Sequence, residues 1–386
     1  MNTISLDQSY VAGTYKRFPV EIVSGKGSLV TDAGGREYID MGSGIAVTSF
    51  GVADEEWIAA VEEQIHKVQH ISNLYYTAPC ARLAEALCLR TGMSKVFFGN
   101  SGAEANECAI KVARKWAAEH KSPACNVIVT LENSFHGRTL TTLAATGQAH
   151  YHELFQPLTP GFAHIRAGDL DALKALCETG TVAAVLIECV QGEGGVIPLD
   201  PAFASALENF LHEQDILLMV DEVQTGNGRT GKLYAYMHYG LHPDVVTTAK
   251  GLAGGLPLGA CLMSEKVAHV LSFGDHGSTF GGNPVASAAA LSVLNRLTDP
   301  FLAEVEAKAA FLRRELENTP GVLSVSGLGL MLGLKTVKPA GEVVSACMEN
   351  GVLCLTAKDR VRLLPALNIP MELLEKAVSV LRAALS

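Results

Sequence analysis

From Val96 to Thr248 the chain repeats one rhythm: a short apolar run rich in β-branched residues, a turn, then a stretch with helical spacing. The runs are Val96–Phe98, Val127–Leu131, Val182–Ile187, Ile216–Val220 and Val245–Thr248, with a helix predicted near Ala105–Glu119 after the first. Strands that are apolar throughout must be buried on both faces, so this order implies an α/β domain with a mostly parallel sheet covered by helices. Ligands of such sheets sit beyond the carboxyl ends of the strands. Ser101, Glu188, Asp221 and Lys250 all fall there.

The flanks read differently. Alternating runs between Val20 and Asp40, broken by Ser24-Gly25-Lys26-Gly27 and Asp32-Ala33-Gly34-Gly35, predict an antiparallel meander. Asp54 is placed to cap a helix carrying Trp57, Ile58, Val61, Ile65 and Val68, and a second helix is expected over Ala81–Leu89. After Asn283-Pro284 come helical patterns through Leu297 and over Leu302–Leu316, short strands near Val322–Val325 and Leu330–Leu334, and a last helix after Pro370. The expected organisation is a 1–50 segment joining a small α+β domain at 290–386, with a large domain over 51–289.

A chain of 386 residues with 48% hydrophobic and 18% charged residues can bury a substantial core. Its net charge of -10, with no basic block, argues against nucleic acid as a partner. Nine cysteines with no Cys-x-x-Cys pair read as reduced thiols in a cytoplasmic protein without a structural metal. No signal-like N-terminus and no run of ~20 apolar residues is present, which disfavours secretion and membrane insertion.

Several segments could carry chemistry. Lys250 ends the run Val245–Ala249 and precedes Gly251-Leu252-Ala253-Gly254-Gly255. A lysine there either snorkels to water or, if buried, has a lowered pKa and becomes a nucleophile able to form a Schiff base. Phe98–Glu107 is a strand, a small-residue turn and a helix start; it is either an ordinary capped helix or an anion site in which Ser101 and free N–H groups hold a phosphate. It lacks the Gly-Lys-Ser/Thr ending of a nucleotide-binding P-loop. Asp221, after the apolar Leu217–Val220, needs a cationic partner such as a protonated pyridine nitrogen unless it forms a structural cap or ion pair.

Ser134-Phe135-His136-Gly137-Arg138-Thr139 offers a ring to stack on a flat cofactor and an arginine for a carboxylate. Glu188–Gly195 offers Glu193, and Gly277–Pro284 offers hydroxyls; either could equally be a plain turn. Gly226-Asn227-Gly228-Arg229-Thr230-Gly231 formally matches the dinucleotide fingerprint and leaves a nicotinamide-dependent oxidoreductase as a distant alternative. The two carboxylates just before it would repel a pyrophosphate, so it reads as a loop.

In this order, the segments from Tyr15-Lys16-Arg17-Phe18-Pro19 to Val361-Arg362-Leu363-Leu364-Pro365 closely resemble the class III aminotransferases of fold type I, which depend on pyridoxal 5'-phosphate. The resemblance implies a seven-stranded-type sheet and a homodimer with a shared active site. By it, Lys250 carries the cofactor as a Schiff base and Asp221 keeps the pyridine nitrogen protonated, the two catalytic roles. Ser101, Gly102 and Ala103 would bind the phosphate, Phe135 would stack on the ring, and Gln224 would contact the ring hydroxyl region. Thr279 would complete the phosphate site of the neighbouring subunit.

Substrate binding would fall to Tyr15, Arg138, Glu193, Ser278 and Arg362. Arg138 would take the α-carboxylate of the amine donor and Arg362 that of glutamate or 2-oxoglutarate. Glu193 would gate Arg362 while an ω-amine is bound. The implied reaction moves the δ-amino group of N2-acetyl-L-ornithine to 2-oxoglutarate, a step of arginine biosynthesis. Succinylornithine, succinyldiaminopimelate, ornithine and 4-aminobutyrate are the alternatives. Ile45 is aligned with a tyrosine that meets the free α-amine in ornithine-specific relatives, which favours an acylated amine here.

Overall fold

The computed structural model describes residues 2–386. Its centre is a seven-stranded sheet built from β1 (Lys95–Gly99), β2 (Val127–Leu131), β3 (Phe162–Ile165), β4 (Val182–Ile187), β5 (Leu217–Asp221), β6 (Val245–Thr248) and β7 (Gly259–Met263). The spatial order is β1-β7-β6-β5-β4-β2-β3. All pairs are parallel except those of β7, which runs antiparallel to both neighbours.

Burial of both faces follows from side-chain alternation. On β5, Leu217 and Met219 enter one apolar layer with Ile110, Ala113 and Trp116 of helix α1 (Gly102–His120). Leu218 and Val220 enter the opposite layer with Phe203, Leu207 and Leu211 of the helix Pro201–Glu213. Every residue of β4, β5 and β6 is buried, as their continuous apolar composition requires.

β3 and β7 were outside the sequence-based strand set. β7 is Gly-Ala-Cys-Leu-Met, with no β-branched residue, and Phe-Ala-His-Ile of β3 is a partly exposed edge strand; neither carries a strong strand signal. The helix expected to carry Trp57 through Val68 ends at Ile65. The helix expected over Ala81–Leu89 is longer, Ala78–Thr91, because Pro79 sits in its first turn, where no N–H is required.

The C-terminal part holds an antiparallel sheet of Val322–Leu328, Met331–Thr336, Arg360–Leu363 and Leu355–Ala357 in that order. The expected N-terminal meander is present as Ile22–Lys26, Leu29–Asp32 and Glu37–Asp40, and Val352–Leu353 extends it as a fourth, parallel strand. That pairing ties the beginning of the chain to its last third.

The Gly226–Gly231 segment is a buried turn with no room for a dinucleotide. A Cβ on Gly226 would lie 2.6 Å from the Glu222 carbonyl oxygen and 2.7 Å from the Tyr234 ring. The Arg229 guanidinium is buried and donates to the carbonyls of Leu330 (3.0 Å) and Pro365 (2.5 Å). It bridges the two sheets.

Glu222, next to Asp221 but pointing away from the sheet end, is fully buried. It accepts from Tyr236 N (2.7 Å) and Thr225 Oγ1 (2.5 Å). Burial pushes its carboxyl from 4.5 up to about 7. The folded chain therefore holds this proton more tightly than the unfolded one, so its contribution is fully present below the unfolded value and lost as pH rises through about 7. Urea denaturation should reveal a loss on the order of 3 kcal/mol across that window. Glu222→Gln is expected to flatten this part of the stability profile, and an unchanged slope in the variant would refute the assignment.

Candidate active site

A cavity of about 590 Å³ opens at the carboxyl ends of β1, β4, β5 and β6. On one side Ser101 caps α1: its Oγ accepts from Glu104 N at 3.2 Å, while Glu104 accepts from Asn100 N at 2.9 Å. This reciprocal capping leaves the N–H groups of Gly102 and Ala103 without an intrahelical partner at the positive end of a 19-residue helix. Gly102 is there for space, since a Cβ would lie 2.7 Å from Val223 Cγ1.

Asp221 stands at the cavity floor, 4% exposed. Its Oδ2 accepts from Asn106 Nδ2 (2.8 Å) and His136 Nδ1 (2.9 Å), and its Oδ1 from Val223 N (3.0 Å). The carboxylate partner assigns the His136 proton to Nδ1. Asn106 is in turn fixed by donating to the His136 carbonyl (2.8 Å) and accepting from Thr247 Oγ1 (2.7 Å). His136 Nε2 is buried without a partner.

Lys250 lines the same cavity, in a left-handed conformation (φ 45°) that non-glycine residues seldom adopt. Asn227 Nδ2 steadies the preceding carbonyl of Ala249 at 3.2 Å. Burial pushes the Lys250 amine below its ordinary value, although Glu193 and Asp221 pull the other way. The amine thus sits between a carboxylate floor and a carboxylate wall.

That wall is a triangle. Arg362, 4% exposed, donates from one Nη to Glu193 Oε1 (2.5 Å) and to Gln224 Oε1 (3.2 Å), and Gln224 Nε2 donates to Glu193 Oε1 (3.2 Å). Burial opposes ionisation of Glu193, but the charge and hydrogen bond of Arg362 prevail and hold its carboxyl below the ordinary range. At the mouth, the exposed Arg138 guanidinium lies 4.3 Å from the Tyr151 ring centre and 5.6 Å from that of Phe135. It has no carboxylate partner among the described residues.

Ten of the residues singled out from sequence line this cavity together: Tyr15, Ser101, Gly102, Ala103, Phe135, Arg138, Glu193, Asp221, Gln224 and Lys250. Arg362 stands behind Glu193. Ser278 and Thr279 lie outside the cavity; Ser278 Oγ accepts from Asn100 Nδ2 at 3.3 Å, and exposed Thr279 borders a surface hollow with Ile71, Asn73 and Tyr75. Gln224, expected at a ring hydroxyl, lines the cavity with one amide N–H on Glu193 and its Oε1 on Arg362, the second N–H being uncommitted. Ile45 is also displaced from its expected place: it lines a separate cavity of about 360 Å³ beside Phe18 and Met348, while Val47 enters the main one.

Sequence reasoning gave no role to Asn106 or Tyr151 and did not pair His136 with Asp221. Asn106 did carry a signal, being a polar side chain on the buried face of α1 beside Ala105 and Ala109. Such a group must find a partner.

With this geometry in place, comparison with known proteins is decisive. The model of the family "Aminotransferase class-III" matches residues 10–385. The chain belongs to the class III aminotransferase family. Curated relatives include acetylornithine aminotransferases of Haemophilus ducreyi, 51% identical over 99% of this chain and 98% of the relative, and of Methanocaldococcus jannaschii, 41% identical over 98% and 97%. Among solved structures, the ornithine aminotransferase from Toxoplasma gondii superposes with a TM-score of 0.95 at 33% identity, covering 99% of this chain and 94% of that one. The N-acetylornithine aminotransferase from Stenotrophomonas maltophilia does so with a TM-score of 0.85 at 38% identity, covering 99% and 98%.

A class III aminotransferase works with pyridoxal 5'-phosphate, and the residues present fit that group. The unpartnered N–H pair on α1 suits a phosphate, the hydrogen-bonded Asp221 suits a pyridinium, and Lys250 supplies the amine. If Asn106 secures Asp221 for this purpose, Asn106→Ala should weaken cofactor retention by about tenfold, from a lost buried hydrogen bond worth ~1–2 kcal/mol. Equilibrium dialysis of the cofactor measures this, and unaltered affinity would rule the role out.

Proposed function

We propose that this aminotransferase moves the δ-amino group of N2-acetyl-L-ornithine to 2-oxoglutarate, giving N-acetyl-L-glutamate 5-semialdehyde and L-glutamate in arginine biosynthesis. The observation that carries the reading is a buried Arg362 neutralised by Glu193, together with a second arginine, Arg138, that lines the same cavity as Glu193 and has no such partner. A site that must accept a mono-carboxylate amine and then a dicarboxylate needs one arginine always available and one that can be masked. The relatives named acetylornithine aminotransferase, up to 51% identical, support the choice of amine.

When bound, the cofactor supplies an electron sink and carries the amino group between the two half-reactions. The chain's own residues do the rest. Ser101 and the N–H groups of Gly102 and Ala103 would hold the phosphate, Asp221 would pair with the protonated ring nitrogen, and Phe135 would stack on the ring. Lys250, its amine made more available by burial, would hold the cofactor and would serve as the base that takes the proton from the substrate carbon. Arg138 holds the donor's α-carboxylate. Glu193 stays on Arg362 during that half and leaves it when the dicarboxylate enters, so that neither charge is buried alone. Tyr15, at the cavity rim, and Ser278, outside it but bonded to Asn100, are retained as proposed substrate residues.

We extend the proposal to a cytoplasmic homodimer. Leu74, Tyr75, Tyr76, Phe273 and Phe280 are exposed apolar side chains, 59–109% accessible, around Thr279; a patch of this kind favours a partner surface. A second copy covering it would bring Thr279 to the partner's phosphate site. None of the described helices is long and apolar enough to cross a membrane. The three-part organisation with limits at 50 and 290 is retained as a proposal, supported by the pairing of Val352–Leu353 with the N-terminal meander.

An amine-donor panel read by loss of the cofactor's visible absorbance tests the substrate. N2-acetylornithine should discharge the band fastest among acetylornithine, succinylornithine, ornithine, succinyldiaminopimelate and 4-aminobutyrate; a faster discharge by any other donor would displace the reading. Separately, Arg362→Ala should raise KM for 2-oxoglutarate by roughly a hundredfold, the loss of a charge-assisted pair worth ~3 kcal/mol. Single-turnover discharge by the amine should change little. Equal damage to both half-reactions would mean that Arg362 is structural.

A further inference from the structure

The Gly226–Gly231 turn has no room for a dinucleotide, yet its second residue reaches the strand end that presents Lys250. Asn227 is 2% exposed and has a left-handed backbone (φ 57°), which asparagine tolerates better than most residues. Its Nδ2 donates to Thr248 Oγ1 at 2.9 Å and to the Ala249 carbonyl at 3.2 Å. Both amide hydrogens are thereby used, and both land on the two residues that precede Lys250.

The Ala249 carbonyl also accepts from Leu252 N at 2.9 Å. A carbonyl oxygen has two lone pairs, and these two donors fill them. That oxygen belongs to the peptide group joining Ala249 to Lys250, whose orientation sets the φ angle of Lys250. A flip of this group would carry Lys250 from φ 45° into the ordinary extended region and relieve its strain. The flip would also displace the Lys250 backbone nitrogen and tilt the Cα–Cβ bond, and a tilt at the root of a long side chain is magnified at the amine. Backbone strain and a hydrogen bond are of the same order, so each of the two bonds counts in holding the strained form. The turn that supplies Asn227 is itself anchored, because Arg229 donates to the carbonyls of Leu330 and Pro365.

We propose that Asn227 is a positioning residue for Lys250: by filling the second acceptor site of the Ala249 carbonyl it locks the left-handed lysine and so aims the amine for bond formation with the cofactor. The inference rests on the assignment of Lys250 as the residue that holds the cofactor, and adds to it the group that fixes its direction. Asn227 is not among the residues lining the cavity, so it acts through Lys250. Misplacement of a reacting atom by a fraction of a bond length is enough to weaken bond formation.

Two forms of the cofactor separate aiming from structure. Pyridoxal 5'-phosphate carries an aldehyde that condenses with the Lys250 amine, the nitrogen replacing the aldehyde oxygen, which leaves as water; pyridoxamine 5'-phosphate carries an amine and binds without that bond. Equilibrium dialysis of each form against the full-length apoprotein gives the two affinities. Asn227→Gly keeps the left-handed backbone and removes the amide. It should weaken the aldehyde form about tenfold, as one lost hydrogen bond does, and leave the amine form within about twofold of native. Thr248→Val is the control: it deprives Asn227 of its other acceptor, which should lower the thermal-unfolding midpoint while both affinities stay native. Equal weakening of both forms in Asn227→Gly would mean a merely structural role and overturn the proposal, as would native affinity for the aldehyde form or a selective loss in Thr248→Val. If Asn227→Gly does not fold, Asn227→Asp keeps size and handedness but its carboxylate cannot donate to a carbonyl. The same selective loss is expected there, and native affinity for the aldehyde form overturns the proposal equally. Lys250→Ala isolates the underlying assignment: the advantage of the aldehyde form over the amine form should disappear, and a native ratio in that variant would refute Lys250 itself as the residue that holds the cofactor.

Discussion

A buried carboxylate is the constraint to which the rest of this molecule answers. An unpaired ion at the Asp221 position would be destabilising by several kcal/mol, and the fold meets that demand with donors drawn from three separate elements. Asn106 comes from α1, His136 from the loop after β2, and the Val223 N–H from the turn after β5. Thr247 on β6 fixes Asn106 in turn. One hydrogen-bond network therefore sets the relative positions of the helix that offers N–H groups to a phosphate, the strand that presents Asp221 and the strand that leads to Lys250. The three groups proposed to hold the cofactor are thus aligned by the protein's own hydrogen bonds, and preorganisation of this kind is what a binding site needs to hold its ligand without reordering.

The second charge pair has the opposite character. Arg362 belongs to the small C-terminal sheet, with Gly333 as its cross-strand neighbour, and Glu193 to the loop after β4. Their ion pair spans the junction between the two sheets, where Val190 and Val196 pack with Met331 and Leu364. Its Nε is buried without a partner, so the guanidinium is not fully satisfied in this arrangement. A group left short of acceptors is ready to exchange one carboxylate for another, because the incoming one can supply the bond that is missing. The Asp221 carboxylate accepts three hydrogen bonds from fixed donors, whereas the Arg362 guanidinium keeps a buried N–H without an acceptor.

How much of this could be read from the amino-acid order depends on the range of the interaction. An apolar strand followed by a lone polar residue is a local pattern, and it marked Ser101, Asp221 and Lys250 directly. β7 escaped notice because glycine, alanine and cysteine do not advertise a strand, although packing against α1 makes it one. The partners of Asp221 are separated from it by 115 and 85 positions, and nothing in either segment names the other. Gln224 was assigned to the ring by resemblance; its ties to Glu193 and Arg362, 31 and 138 positions away, are no more legible locally, and they leave one amide N–H uncommitted. Ile45 was placed by alignment, whereas its direction is set by backbone handedness, which an alignment does not carry.

That handedness explains how the N-terminal segment reaches the site. Ser43, Gly44, Ile45 and Ala46 all have positive φ, 42°, 64°, 63° and 62°, a left-handed turn that costs on the order of 1–2 kcal/mol for each non-glycine residue. A β-branched isoleucine is among the worst residues for it. The turn persists because its surroundings determine it. Asp40 Oδ1 accepts from Gly42 N (2.8 Å) and Ser43 N (2.9 Å), and the Ser43 hydroxyl donates to the Leu364 carbonyl (2.6 Å), two residues beyond Arg362. As built, Val47 enters the cofactor cavity and Ser49 reaches the Gly251 carbonyl just past Lys250 (3.3 Å). The strained backbone thus connects the strand that carries Arg362 to the loop that carries Lys250, through the Ser43 hydroxyl on Leu364 and the Ser49 hydroxyl on Gly251.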